Sequence, residues 1–256
     1  MVTRARSQSA EMTARLESIG ASVIHYPTIE VVPPSSWEQV DASIERLQDY
    51  DWIVFTSANG VEFFLHRLLE KHSDGLQRLA GRVICAIGPG TARALDLAGA
   101  VTHVVARDSK AEGALKAIAD HVGGEENIRG LRFLLPRARV GRDTLPVGLR
   151  KLDAQVDAVE TYQTIKPRID QKSIVRFFEE GSIDAITFTS SSTVSNFAAL
   201  VELEDLSALL RHTLVACIGP VTAQTAAEYG LEKIIQPEVY TVNALIDALV
   251  EAIAKK

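Results

Sequence analysis

Cysteine is nearly absent from this 256-residue chain, which holds only Cys85 and Cys217. Two thiols exclude a disulfide framework and a four-cysteine zinc cluster, and they suit a reducing compartment. Positive charge is in deficit: 27 Lys and Arg against 33 Asp and Glu give a net charge of −6. A broad phosphate-binding face needs the opposite balance, so no nucleic-acid partner is expected. No apolar run approaches the ~18–20 residues of a membrane span. The N-terminus reads directly into Val2-Thr3-Arg4-Ala5-Arg6 without the apolar core of a signal peptide. Aromatics are sparse at 6%, yet hydrophobic residues reach 46% and charged ones 23%. That is the mix of a globular protein with a core large enough to need no metal or disulfide.

What the chain does have is itself, twice. Thr3–Arg6 recurs as Pro136–Arg139, and Leu16–Val23 (LESIGASV) as Leu149–Val156 (LRKLDAQV), both offset by 133. DWIVFTSANGV (51–61) matches DAITFTSSSTV (184–194) at the same offset. AIGPGTARAL (86–95) matches CIGPVTAQTA (217–226) at 131, and AEGALKAIA (111–119) matches TVNALIDAL (241–249) at 130. Ordered matches at a nearly constant offset indicate duplication of a unit of about 130 residues, too long for a solenoid repeat and right for a domain.

Each half alternates short apolar runs with helical patterns. Strands are expected over 22–26, 52–56, 83–87, 101–105, 131–135, 185–189 and 214–218, and helices over 8–19, 61–71, 91–98, 111–121 and 242–254. Strand–helix alternation with continuously apolar strands predicts an α/β fold: two similar, doubly wound parallel-sheet domains. Pro27, Pro33 and Pro34 punctuate the chain after the first βαβ unit, and Pro167 with the polar stretch beyond it does so after the matching unit. If both are crossings, near 31–36 and 165–168, one domain comprises 1–30 plus 168–256 and the other 37–165. A sequential split near residue 127 satisfies the repeat equally well.

Ligands of open α/β sheets bind beyond the carboxyl ends of the strands, at helix N-termini. The repeated motifs fall there. Phe55-Thr56-Ser57 and Phe188-Thr189-Ser190-Ser191 run off apolar strands into helices. Ile87-Gly88-Pro89-Gly90-Thr91 and Ile218-Gly219-Pro220-Val221-Thr222 are tight strand-to-helix turns. Free N–H groups at such starts favour anions, so four turns, two per domain, are expected to surround one large anionic ligand in a cleft. The same residue types are also simply what helix starts require. Arg4 and Arg6 follow the first strand, and Arg137, Arg139 and Arg142 follow its repeat; arginines there suit carboxylates, or solvent.

Familiar catalytic signatures do not occur: no GxGxxG, GxxxxGK[ST], HExxH or GxSxG is present. Cys85 and Cys217 sit in apolar strands and read as buried, inert thiols. Tyr162, at the end of an apparent strand near the second crossing, carries a hydroxyl able to donate a proton, although a packing role explains it as well.

Taken together, the opening Val2-Thr3-Arg4, the paired FTS and IGP turns, LLPRARVGRDTLPVGL, the stretch ending Tyr162-Gln163-Thr164 and the closing Tyr240–Leu245 resemble the uroporphyrinogen-III synthase family along nearly the whole chain. The resemblance implies two α/β domains joined by a two-stranded linker, which favours the crossed division. It implies an enzyme of haem and tetrapyrrole biosynthesis, a lyase that closes the linear tetrapyrrole hydroxymethylbilane to uroporphyrinogen III with inversion of the last ring and loss of water. It implies no metal or organic cofactor, a cytoplasmic monomer, and transient hand-off of substrate from the preceding pathway enzyme. By the same resemblance Tyr162 is the catalytic residue. Thr56, Ser57, Thr91, Ser190, Ser191 and Thr222 lie around the substrate, and Arg4 and Arg137 are candidates for its carboxylates. The alternative is a non-catalytic tetrapyrrole-binding regulatory module of the same fold.

Overall fold

A computed structural model describes residues 1–108, 110–141, 143–167, 170–202 and 205–255. Arg142 and position 168 of the expected crossing lie outside the described residues. The chain divides into two compact units: a split unit, Met1–Glu30 with Ile165–Lys256, and a contiguous unit, Val31–Thr164.

The chain starts in the split unit with α1 (Ala10–Ser18). It then builds the contiguous unit from β1 (Glu30–Val32), α2 (Glu38–Glu45), β2 (Trp52–Phe55), α3 (Ala58–Lys71), β3 (Val83–Ala86) and α4 (Pro89–Leu97). There follow β4 (Val104–Val105), α5 (Ala111–Val122), β5 (Arg132–Ala138), α6 (Thr144–Lys151) and β6 (Gln155–Ile165). These strands form one sheet in the order β1-β6-β5-β2-β3-β4. All its registered pairs from β6 to β4 are parallel.

Layers on both faces explain why β2, Trp-Ile-Val-Phe, is buried at every position. Successive side chains alternate between faces. Ile53 and Phe55 join Val40, Phe64 and Leu95 beneath α2, α3 and α4. Trp52 and Val54 join Phe133, Ile118 and Leu149 beneath α5 and α6. Each such large side chain contributes ~1.5–3 kcal/mol by leaving water.

The chain returns to the split unit with α7 (Gln171–Glu179), β7 (Ala185–Phe188), α8 (Ser191–Val201), α9 (Leu206–Leu210) and β8 (Leu214–Cys217). It ends with α10 (Pro220–Glu228), β9 (Ile234–Ile235) and α11 (Val242–Ala254). Strands β7, β8 and β9 are parallel neighbours in that order. Val2 extends the sheet through parallel bridges to Thr187 on one side and His25 on the other. One core packs Ile186, Phe188 and Val215 against Val194, Phe197 and Ala226. The other packs Val2 and Ala216 against Met12, Leu16 and Leu245.

The duplication is visible in register as well as in sequence. Leu135 pairs with Ala158, and Val2, 133 residues earlier, with His25. Ile53 pairs with Ile84 as Ile186 does with Val215. Cys85 pairs with Val104 as Ala216 does with Ile235. The same strand order, in the same register, serves both units.

Two expected strands contract. The one over 22–26 reduces to the bridge at His25, held by Val2 N–H to the Ile24 carbonyl (2.9 Å) and Tyr26 N–H to the Val2 carbonyl (2.9 Å). Its partner segment accepts one more bond, from Thr28 N–H to the Thr3 carbonyl (3.0 Å), before turning away into the 3₁₀ helix Arg6–Gln8. The strand expected over 101–105 survives only as Val104–Val105. Among the described residues, no helix is long and apolar enough to cross a membrane.

Candidate functional site

The two FTS turns build helix starts whose cap serines share one backbone conformation. Ser57 (φ −164°, ψ 157°) caps α3 and accepts the Gly60 N–H at 3.0 Å. Ser190 (φ −164°, ψ 159°) caps α8 and accepts the Thr193 N–H at 3.3 Å, while the Thr193 hydroxyl accepts the Ser190 N–H in return at 3.2 Å. Each satisfies a first-turn donor that has no partner inside the helix, a contribution of about 1 kcal/mol.

The two starts differ in what else reaches them. The Tyr162 hydroxyl lies 2.9 Å from Ser57 Oγ. Its ring stacks on Phe63 of the same helix, with centroids 5.9 Å apart and planes 20° apart. Tyr162 is only 8% exposed. It reaches this place through a fault in the ladder: Arg137 pairs with Glu160, but the next residue, Ala138, pairs with Tyr162. Thr161 is therefore the extra residue of a β-bulge, which re-aims the side chains around it. Strict in–out alternation breaks there, with Thr161 and Tyr162 both buried. The Thr161 hydroxyl donates to the Arg137 carbonyl (3.2 Å), and Arg139 N–H donates to the Tyr162 carbonyl (2.9 Å).

Around Ser190 the hydroxyls pair with one another. Ser190 Oγ is 2.9 Å from Ser192 Oγ, and Ser191 Oγ donates to the Val221 carbonyl at 3.1 Å, tying the two turns of the split unit together.

Both IGP turns make a different kind of start. Gly88 and Gly219 are extended cap residues whose missing side chains accept nothing, and Pro89 and Pro220 follow at the first helical position. First-turn N–H groups of α4 and α10 thus lack a side-chain cap and suit an anion. Thr91 and Thr222 occupy matching third positions and are buried to 6% and 5% exposure. Thr56 is half-buried just before the Ser57 cap. In the split unit Tyr240, 59% exposed, lies against Gly219, where a Cβ would come within 3.3 Å of its ring.

The arginines differ in availability. Arg137 is largely covered and donates to Asp143 Oδ1 at 2.7 Å. Arg4 makes a long contact to Gln8 Oε1 at 3.4 Å. Arg6 and Arg139 are exposed. Burial pushes the Cys85 and Cys217 thiols up to about 12, so neither is a nucleophile. Among the described residues, no three His, Cys, Asp or Glu side chains converge to hold a metal ion.

Of the sequence-derived candidates, the structure brings Ser57 and Tyr162 into contact and adds Phe63 to them. Thr56 and Thr91 lie with these in the contiguous unit, and Ser190, Ser191 and Thr222 form the matching set in the split unit. Phe63 was missed, although its place on the first turns of α3, six residues after the Ser57 cap, was a usable signal.

Comparison with known proteins shows the family. The family model for uroporphyrinogen-III synthase HemD matches residues 10–247. The chain is 32% identical over 256 residues to a uroporphyrinogen-III synthase of Synechococcus elongatus, covering 97% of this chain and 93% of that one. It is 31% identical over 254 residues to a porphyrin biosynthesis protein HemD of Ruminiclostridium josui, covering 98% of this chain and 48% of that longer protein. Its fold is similar to that of a uroporphyrinogen-III synthetase from Helicobacter pylori, with a TM-score of 0.58 at 15% identity, over 91% of this chain and 94% of the other. With a family match spanning nearly all of both repeats, the chain belongs to the uroporphyrinogen-III synthase family.

Proposed function

We propose that this protein is a cyclising hydro-lyase that converts hydroxymethylbilane into uroporphyrinogen III, a step of tetrapyrrole and haem biosynthesis. The family match across residues 10–247 carries this reading, and the chemistry at the strand ends supports it.

The substrate is a flexible chain of four pyrroles bearing eight carboxylates. Uncapped starts of α4 and α10, with Thr91 and Thr222, supply N–H and hydroxyl donors for carboxylates. Thr56, Ser190 and Ser191 add hydroxyls, and Arg4 and Arg137 add charge. Tyr162 donates its proton to the terminal hydroxyl. The carbon–oxygen bond breaks with the push of the pyrrole nitrogen, water departs, and an azafulvene cation remains. The substituted carbon of the last ring bonds to it, giving a spiro species. That species fragments and recloses with the ring inverted, and the proton released as the pyrrole regains aromaticity balances the one donated.

Since the cation also closes without inversion when free, most of what the protein adds is shape: holding the chain where inverted closure is nearer. Tyr162→Phe therefore slows turnover without abolishing it. A folded but wholly inactive Tyr162→Phe protein would overturn that account. The same lability favours direct hand-off from the enzyme that makes the bilane. Two buried thiols and a net charge of −6 fit a cytoplasmic monomer. The deciding experiment supplies freshly generated hydroxymethylbilane and separates the cyclic isomers by chromatography. Excess type III isomer over a protein-free control is expected. Type I alone, at the uncatalysed rate, would refute the assignment, as would binding without turnover.

A further inference from the structure

We propose that Ser57 is a positioning residue for Tyr162: it donates its hydroxyl proton to the phenol oxygen, leaving the phenol's own proton free for the departing hydroxyl of the substrate. This deepens the reading of Tyr162 as the proton donor and rests on it.

The role of Tyr162 as proton donor, set against the bonds at Ser57, assigns the direction. Gly60 N–H already donates to Ser57 Oγ at 3.0 Å. Ser57 has one proton of its own, and among the described residues the hydrogen-bonding atom placed to receive it is Tyr162 Oη at 2.9 Å. Were Tyr162 the donor, its proton would be held by Ser57, and the serine proton would be the one without a protein acceptor. With Ser57 donating, the proton left without a protein acceptor is the phenol's, and it is free for the departing hydroxyl. The consequence is electrostatic as well as geometric. As Tyr162 loses its proton, charge grows on an oxygen already facing a serine O–H. That O–H is itself polarised by an N–H at the positive end of the 14-residue helix α3. Phe63, from the same helix, fixes the ring plane, so one rigid element sets both the position and the orientation of the phenol.

The duplication supplies an internal control. Ser190 caps α8 in the same backbone conformation as Ser57, so capping alone requires no tyrosine. At the offset of 133 that relates these turns, the counterpart of Tyr162 is Ile29. Ser190 bonds instead to Ser192, and its third helical residue is Thr193, which closes a reciprocal capping box. In the contiguous unit that position is Gly60, where a Cβ would approach the Pro136 carbonyl to 3.1 Å and Ser57 Oγ to 3.2 Å. Only the contiguous unit pairs its cap serine with a phenol.

The test compares Ser57→Ala, Ser57→Gly and Ser57→Thr, each alone and combined with Tyr162→Phe, by kcat and KM for type III isomer formation and by thermal unfolding. Glycine is a serviceable helix cap and alanine a poor one. A capping role therefore predicts damage from Ser57→Ala and little from Ser57→Gly. The positioning role predicts that both lower kcat by about ten- to hundredfold with KM changed less than about threefold, although only Ser57→Ala costs thermal stability. Ser57→Thr, which keeps the hydroxyl, retains most of kcat. In the Tyr162→Phe background neither Ser57→Ala nor Ser57→Gly lowers kcat further. An undiminished kcat in Ser57→Gly would overturn the proposal, and so would an equal loss in both backgrounds, which would mean that Ser57 acts on the substrate directly. A Tyr162→Phe protein with parental kcat would refute the proton-donor reading itself, independently of the Ser57 results.

Discussion

Thr28 and Thr161 occupy equivalent places in the two repeats, are fully buried, and each donate a hydroxyl hydrogen bond to the neighbouring strand: Thr28 to the Thr3 carbonyl at 3.3 Å, Thr161 to the Arg137 carbonyl at 3.2 Å. The acceptor is one residue further along in the contiguous unit, next to the slip of the β5–β6 ladder between Arg137 and Ala138. Replacing Thr28 with Val removes one such bond and is expected to cost about 1 kcal/mol, read from chemical denaturation. Replacing Thr161 with Val costs a similar amount and also lowers kcat, because the bulge it pins directs Tyr162. Equal kcat in Thr161→Val and the parent would argue that the bulge holds without its hydroxyl. Tyr162 as a candidate was legible in the sequence through family resemblance. Its contact with Ser57, 105 residues away, was not, because it depends on β5 lying between β6 and β2 and on the slip that turns the side chain.

At the scale of elements, glycine at a helix start has two unequal meanings here. Gly60 sits where α3 meets β5, and an added methyl would press on the backbone carbonyl of Pro136, which has no freedom to move aside. Gly60→Ala is expected to destabilise the contiguous unit by about 1–3 kcal/mol and to lower kcat by shifting Ser57 from Tyr162. Gly219 is extended (φ −172°) and meets only the exposed ring of Tyr240, which can swing away. Gly219→Ala should leave thermal stability within about 0.5 kcal/mol of the parent. These starts were readable in advance because Ser, Gly and Pro announce them, and α5 and α11 begin at the residues their apolar periodicity predicts. Two of the strands missed were short: β1 and β9 span three and two residues, too few for a period-2 pattern to register. The expected strand over 22–26 looked complete in composition, but its partner offers only Val2.

For the whole molecule, each unit hides one thiol, Cys85 in the contiguous unit and Cys217 in the split one, and burial raises both from 9.0 to about 12. The unfolded thiols ionise first as pH rises, so the stability they represent is complete below pH 9.0 and is lost as pH climbs toward 12. Each contributes a slope of at most about 1.4 kcal/mol per pH unit. Denaturation at stepped alkaline pH should show this loss, and it should shrink in Cys85→Ala. An unchanged slope in that variant would locate the alkaline instability elsewhere. Repetition was the most legible large-scale property, since offsets of 130–133 are printed in the chain, whereas how the strands pair across them is written only in three dimensions. The split unit has a consequence for the order of synthesis. Val2 needs Thr187 as its second sheet neighbour, so the first thirty residues emerge from the ribosome with only their own Val2–His25 bridge and wait while more than 150 others are made. Residues 31–164 are contiguous and free to close in the meantime. The unit that carries Tyr162 is thus the one able to mature first, with the opening segment held as a tether until its strand partner arrives.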